Sequence, residues 1–117
     1  AHYCDGELRV YPSHNIGVAV DTPHGLLVPV LSGVEGKPVA AIAEDLAALV
    51  AQSRANRLPA TSPPGTITVS NVGSVGAGTY LDPLLVVPQL CIIAFGAVST
   101  APRYQGEQLV PRKILCM

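Results

Sequence analysis

Residues 65–80 constrain the fold of this chain more than any other stretch. They read Gly-Thr-Ile-Thr-Val-Ser-Asn-Val-Gly-Ser-Val-Gly-Ala-Gly-Thr-Tyr. Ile67 and Val69 alternate with Thr66, Thr68 and Ser70, the period of a strand with one buried and one polar face. The alternation runs directly into Gly73, Ser74, Gly76 and Gly78, small residues that turn the chain or let something approach its backbone. A polar side chain at the mouth of such a strand leaves room for a substrate against the backbone. Ser70 is therefore the first candidate for chemistry. The same pattern also fits a strand followed by a flexible hairpin, with Ser70 merely solvated.

The rest of the chain supplies partners for that strand. Asp5-Gly6 marks a turn within a ragged hairpin or loop over residues 1–14. Residues 15–20 read as a strand in which Ile16, Val18 and Val20 share a face. Asp21-Thr22-Pro23-His24-Gly25 has turn chemistry, and residues 26–31 return as a strand apolar on both faces. This predicts an antiparallel hairpin buried in a larger body, with Pro29 at a bulge or an edge. Pro38 suits the first turn of a helix, and Val39, Ile42, Leu46, Leu49 and Val50 form its apolar stripe. Glu44, Asp45 and Gln52 fall off the stripe, while Arg54 and Arg57 suit the negative end of the helix dipole.

Residues 58–64 carry three prolines and predict a surface linker. Asp82-Pro83 and Val87-Pro88 hold the chain extended. Residues 90–98 predict a strand apolar on both faces, hence central and buried. Residues 101–117 predict a turn at Gln105-Gly106 followed by a last strand.

Composition narrows the function classes. A length of 117 residues fits one domain. Mean hydropathy is positive, and charged residues make up 13% where about a quarter is usual. Such a chain hides surface against other chains or further parts of itself. A net charge of −1 argues against an electrostatically driven nucleic-acid or anionic-membrane partner. The longest apolar run is broken by Pro88 and Gln89, too short for a membrane span. No secretory signal is visible. Cys4, Cys91 and Cys116 are widely spaced with no Cys-x-x-Cys pair, which favours a reducing compartment over a disulfide framework. His2, Cys4, His14 and His24 match no closed zinc spacing, so no metal is expected.

Several chemistries fail on spacing. Gly73, Gly76 and Gly78 have the wrong order for a dinucleotide fingerprint, and no helix is expected after them. A phosphate-cradling loop needs a lysine that this stretch lacks. Neither Ser70 nor Ser74 sits in Gly-x-Ser-x-Gly. Asp21, Glu35, Asp45 and Asp82 fall in turns or on a solvated helix face, not in a carboxylate pair.

Three blocks carry a resemblance. Residues 13–30, Ser-His-Asn-Ile-Gly-Val-Ala-Val-Asp-Thr-Pro-His-Gly-Leu-Leu-Val-Pro-Val, resemble the core hairpin of the dihydrolipoyl acyltransferase catalytic domain of 2-oxoacid dehydrogenase complexes. Residues 65–76 resemble that family's second block. Pro83, Pro88-Gln89, Ile93, Gly96 and Pro102-Arg103 resemble its third. The Ser-His-Asn-Ile-Gly opening and the Pro-Arg pair lean towards the branched-chain member.

The resemblance implies an α/β fold like chloramphenicol acetyltransferase: a mixed, largely antiparallel sheet packed against helices. It implies a homotrimer, built into a larger cage, with active sites in channels between subunits. The implied partners are a lipoyl domain and the dehydrogenase components. The implied reaction moves an acyl group between dihydrolipoamide, its lipoyl group carried on a separate domain, and coenzyme A. Ser70 falls at the hydroxyl that steadies the oxyanion. Asn71, Gly73 and Ser74 are the substrate-binding candidates, with Asn71 turned to the opposite face and fixing the turn.

The family's base is a histidine in an Asp-His-Arg-x-x-Asp-Gly segment that this sequence does not contain. His14 and His24 match neither its position nor its context. Residues 1–117 are thus expected to be the central part of one catalytic domain, without its N-terminal part or its histidine segment, and inactive alone. A non-catalytic scaffold of the same fold is the alternative. Gln89 stands where the family often has Glu. The compartment implied is the mitochondrial matrix in a eukaryote or the cytoplasm in a bacterium.

Overall fold

The structure is a computed structural model that describes residues 1–59, 62–76 and 82–117. The chain divides into two compact units: residues 1–70 with 84–93, and residues 71–83 with 94–117.

The first unit opens on a hairpin of β1 (His2–Cys4) and β2 (Glu7–Arg9). Its tight turn needs positive φ at both central residues, and Asp5 (54°) and Gly6 (82°) provide it. The hairpin expected over residues 15–31 is present but divided. β3 (Ile16–Val18) pairs with β6 (Val30–Leu31), while β4 (Val20–Thr22) pairs with β5 (Gly25–Leu27) in a separate two-stranded sheet. One register runs through both ladders, from Ile16 opposite Leu31 to Thr22 opposite Gly25.

The division falls at Ala19, whose N–H donates to the Val69 carbonyl (2.9 Å). Pro29 has no N–H to give, but its carbonyl accepts from Val18 (2.9 Å). No extra residue is inserted there, and β6 ends the sheet, so Pro29 marks an edge and not a bulge. At the hairpin tip the Thr22 hydroxyl donates to the Gly25 carbonyl (2.7 Å) and accepts from the His24 amide (3.2 Å).

β7 (Ile67–Asn71) lies parallel to β3, with Ile16 opposite Ile67 and Val18 opposite Val69. The larger sheet runs β6-β3-β7-β8, where β8 is Ile92–Phe95. It is mixed, as expected. The strand predicted over 90–98 is shorter and stands at the end of the sheet instead of the centre, with Leu90 54% and Val98 64% exposed. Apolarity on both faces identifies a strand that wants cover, but not whether this chain supplies it.

Helix α1 (Val39–Arg54) packs on β4 and β6. Pro38 sits one place earlier than expected, as the cap, and its carbonyl accepts from Ile42 (3.1 Å). Ile42, Leu46, Leu49 and Val50 are half-buried as the stripe requires. Val39 is instead 83% exposed, because a first-turn side chain tilts back beyond the packed turns. Ser53 continues the stripe, wholly buried, with its hydroxyl donating to the Leu49 carbonyl (2.7 Å). The helix ends on Asn56 in the left-handed region (φ 53°), and the Arg57 amide returns to the Gln52 carbonyl (2.9 Å).

Val20 and Leu31 are the buried apolar side chains among the described residues, beside buried polar Asn15, Thr22, Ser53 and Thr68. The chain exposes 8285 Å², where a self-contained folded chain of its mass exposes about 6,000 Å². No helix among the described residues is long and apolar enough to cross a membrane.

In the second unit the expected flexible hairpin is replaced by a 3-10 turn over Val72–Val75, ended by Gly76 at φ 73°. Gly78 and Tyr80 lie outside the described residues. A hairpin of β9 (Ser99–Gln105) and β10 (Gln108–Ile114) closes at Gly106-Glu107, one residue beyond the predicted Gln105-Gly106. Pro102 faces Pro111. Both fall at a pair whose amides would point away from the partner strand, so neither proline breaks the ladder.

Candidate functional site

The candidate site grows from the way β7 is held. At its start, the Asn15 carbonyl accepts from both the Thr66 amide (2.7 Å) and the Thr66 hydroxyl (2.9 Å), and that hydroxyl accepts from the Asn15 amide (3.2 Å). The Asn15 carboxamide donates to the Pro64 carbonyl (3.4 Å) and accepts from the Gly33 amide (3.1 Å). This buried residue therefore ties three segments together. Further along, Leu90 donates to the Thr66 carbonyl and Thr68 donates to the Cys91 carbonyl, each at 3.1 Å. From the β3 side, Ala19 holds the Val69 carbonyl. The peptide just before Ser70 is thus anchored.

The polar face of β7 is not the solvent face. Thr68 is only 3% exposed, and its hydroxyl donates to Gln89 Oε1 (2.6 Å). Gly17 makes room for it: a Cβ there would lie 2.7 Å from Thr68 Oγ1. The expectation of a solvated polar side fails because a hydroxyl with a partner can be buried at little cost. Strand alternation puts Ser70 on the same side as Thr68. Ser70 is half-buried, and among the described residues nothing bonds its hydroxyl. It is a donor held on a tied strand with its hydrogen uncommitted.

Asn71, exposed, and Gly73 line a cleft of about 440 Å³ in the second unit, together with Phe95, Gly96, Val98 and Leu115. Asn71 is the one polar side chain among the lining residues, and the Gly73 and Gly96 backbone also borders the cleft. Gly73 is there for close approach, since a Cβ on it would collide with the Gly96 carbonyl oxygen. Ser70 does not line this cleft. The side chain of Ser74 lies outside what the structure describes.

No histidine bonds Ser70 among the described residues. His14 pairs through Nδ1 with Glu35 Oε2 at 3.5 Å, and its amide donates to the same oxygen at 2.9 Å. That amide bond, first among the causes, holds the Glu35 carboxyl below its ordinary range. No three His, Cys, Asp or Glu side chains gather to hold a metal among the described residues. Asn15 and Thr68 are the site residues the sequence reading missed. The signal for Thr68 was its place two residues before Ser70, and for Asn15 there was none beyond its polarity.

The model of the family "2-oxoacid dehydrogenases acyltransferase (catalytic domain)" matches residues 1–117. Among curated relatives, the lipoamide acyltransferase component of the mitochondrial branched-chain alpha-keto acid dehydrogenase complex of Arabidopsis thaliana is 39% identical, over 89% of this chain and 22% of its own length. The dihydrolipoyllysine-residue acetyltransferase component of the pyruvate dehydrogenase complex of Haemophilus influenzae is 36% identical, over 88% and 18%.

Among solved structures, dihydrolipoamide acetyltransferase of Azotobacter vinelandii superposes with a TM-score of 0.80 at 33% identity, over 90% of this chain and 43% of that one. That enzyme was investigated for the catalytic role of a serine, a histidine and an asparagine. A probable dihydrolipoamide acetyltransferase of Listeria monocytogenes shares the fold, with a TM-score of 0.86 at 22% identity over 97% and 49%. The chain spans about a fifth of the curated relatives and under half of these solved chains. It belongs to the 2-oxoacid dehydrogenase acyltransferase family, in the region of the catalytic domain.

Proposed function

We propose that residues 1–117 are the central part of one acyltransferase catalytic domain, which moves an acyl group between dihydrolipoamide and coenzyme A. The observation that carries this reading is the uncommitted Ser70 hydroxyl at the end of an anchored strand. The Azotobacter vinelandii relative, studied at a catalytic serine, supports it.

In the reaction the coenzyme A thiol gives up its proton to a base and attacks the thioester carbonyl. A new S–C bond forms, and the carbonyl oxygen takes the negative charge. Ser70 donates its hydrogen to that oxygen. Collapse then breaks the old S–C bond, and the proton passes to the lipoyl sulfur. In this reading the base is the histidine of the Asp-His-Arg segment that the family resemblance implies for the complete domain; among the described residues neither His14 nor His24 is bonded towards Ser70. Without a base, attack depends on the small thiolate fraction of a free thiol.

Asn71, Gly73 and Ser74 are the substrate-binding residues in this reading. The cleft at Asn71 and Gly73, with its mixed polar and apolar lining, is where this reading places part of the substrate. Coenzyme A and the lipoyl group, borne on a separate domain, are both substrates. The assembly is a homotrimer or larger cage that also meets the lipoyl domain and the dehydrogenase components. The neighbouring structure of a pyruvate dehydrogenase cubic core supports an assembly. The compartment is the mitochondrial matrix in a eukaryote and the cytoplasm in a bacterium.

The test is acyl transfer from acetyl- and isobutyryl-dihydrolipoamide to coenzyme A, by this chain alone and by the complete catalytic domain. The chain alone is expected at background and the complete domain active, with Ser70→Ala lowering its kcat by about 100–1,000-fold. Turnover by the chain alone would refute the dependence on an outside base. An unchanged kcat in Ser70→Ala would remove the serine from the mechanism.

A further inference from the structure

We infer that Gln89 is a positioning residue for Ser70, acting through the Thr68 hydroxyl. This rests on the oxyanion role proposed above.

Thr68 and Ser70 share one side of β7, and Thr66 immediately precedes the strand. The ladders to either side set the path of the backbone, but each ladder bond lies in the sheet plane and leaves side-chain placement to contacts above and below. Two side-chain locks exist here among the described residues. One is the Thr66–Asn15 contact at the start of the strand. The other is the bond from Thr68 Oγ1 to Gln89 Oε1, at 2.6 Å, immediately before Ser70.

Space around the pair is restricted from two directions. A Cβ on Gly17 would lie 2.7 Å from the Thr68 oxygen, and a Cβ on Gly65 would lie 3.2 Å from Gln89 Nε2. The pair therefore has little freedom to relax while both backbones keep their places. Thr68 is buried, so its hydrogen must find an acceptor inside the protein. If Gln89 withdraws that acceptor, Thr68 rotates or β7 shifts, and Ser70 moves with the strand. A hydrogen bond to a developing oxyanion works over a narrow range of distance, so a displacement of a fraction of an ångström is felt in the transition state.

The required chemistry at position 89 is an acceptor oxygen on a side chain of this length. A glutamate supplies it; a leucine of similar bulk does not.

The test uses the complete catalytic domain with acetyl-dihydrolipoamide and coenzyme A, read as kcat and KM. Gln89→Leu is expected to lower kcat by about 10–100-fold and to leave KM for coenzyme A within about twofold. Gln89→Glu should keep kcat within about threefold, because the acceptor is retained. On a Ser70→Ala background, Gln89→Leu should cost less than about twofold, since the group it positions is gone. Should Gln89→Leu not fold, Thr68→Val removes the same bond from the other end with little change of shape, and the same pattern is expected.

Equal losses from Gln89→Leu with and without Ser70 would overturn the inference, leaving Gln89 as a structural residue. So would a Gln89→Glu variant as slow as Gln89→Leu, or no loss at all in Gln89→Leu. An unchanged kcat in Ser70→Ala alone is a separate result: it removes the oxyanion role, and the inference with it.

Discussion

The strand β7 and the β9–β10 hairpin are both sheet structure, yet they are held in opposite ways. β7 is bonded by backbone on both sides, and its buried groups Asn15 and Thr68 are polar and satisfied. The β9–β10 hairpin has seven paired positions, a two-residue turn and little burial, with Tyr104 77% and Leu109 60% exposed. A two-stranded hairpin is at best marginally stable by itself. Position is therefore specified chemically in the first region, and in the second only by register and by whatever covers it. A hydroxyl with the role proposed for Ser70 belongs in the first kind of setting, where its place does not depend on an exposed two-stranded hairpin.

The contrast can be broken most sharply at Gly73. A methyl group there meets the Gly96 backbone, which cannot swing aside as a side chain would. Gly73→Ala is expected to cost about 3 kcal/mol, read from the urea midpoint. A cost under about 1 kcal/mol would show that the second unit yields easily even at its tightest point.

Asn15→Leu comes next. It strands the Gly33 amide and the Pro64 carbonyl at the base of β7, and a loss of about 2 kcal/mol is expected in the same unfolding measurement. A neutral result would mean that water replaces the carboxamide, and that the polar hub does not hold the strand.

The paired substitution Tyr104→Ser with Leu109→Ser tests the hairpin. In dilute solution it should change stability by less than about 0.5 kcal/mol, as exposed sites do. A larger loss that grows with protein concentration would show these side chains covered by association, and would erase the contrast.

The smallest effect concerns Glu35. Its folded pKa lies below the ordinary value of 4.5, held there first by the His14 amide. The bond therefore contributes at neutral pH, and the contribution is lost as pH falls below that value through the folded pKa. Carboxyl-carbon NMR should find Glu35 titrating below 4.5. His14→Ala should leave most of the shift in place, because a backbone amide survives the substitution. Loss of the whole shift would transfer the effect to the imidazole.

Much of the fold was legible because local rules sufficed. Asp5-Gly6 and Gly106 announced their turns through the need for positive φ, and the α1 stripe announced itself through helical spacing. Pro29 announced an edge, though the register had to exclude a bulge. The end of α1 at Asn56 was less visible, since an asparagine outside a turn pair is a weak signal for the left-handed region. For the site, the alternation over 65–71 gave Ser70 its strand and its side. It gave Thr68 the wrong surroundings, because alternation separates two faces without saying which one meets water.

By themselves, the residues determined the local elements, the small-residue run after Ser70 and the family to which three ordered blocks belong. Those follow from short-range sterics, periodicity and spacing along the chain. Only the tertiary structure decided that a threonine is buried, that Gln89 reaches it across 21 positions, and that β8 stands at the end of the sheet. Each of those depends on which distant segment arrives alongside. A hydroxyl has the same sequence signature whether it meets water or a carboxamide, and only its neighbours in space distinguish the two.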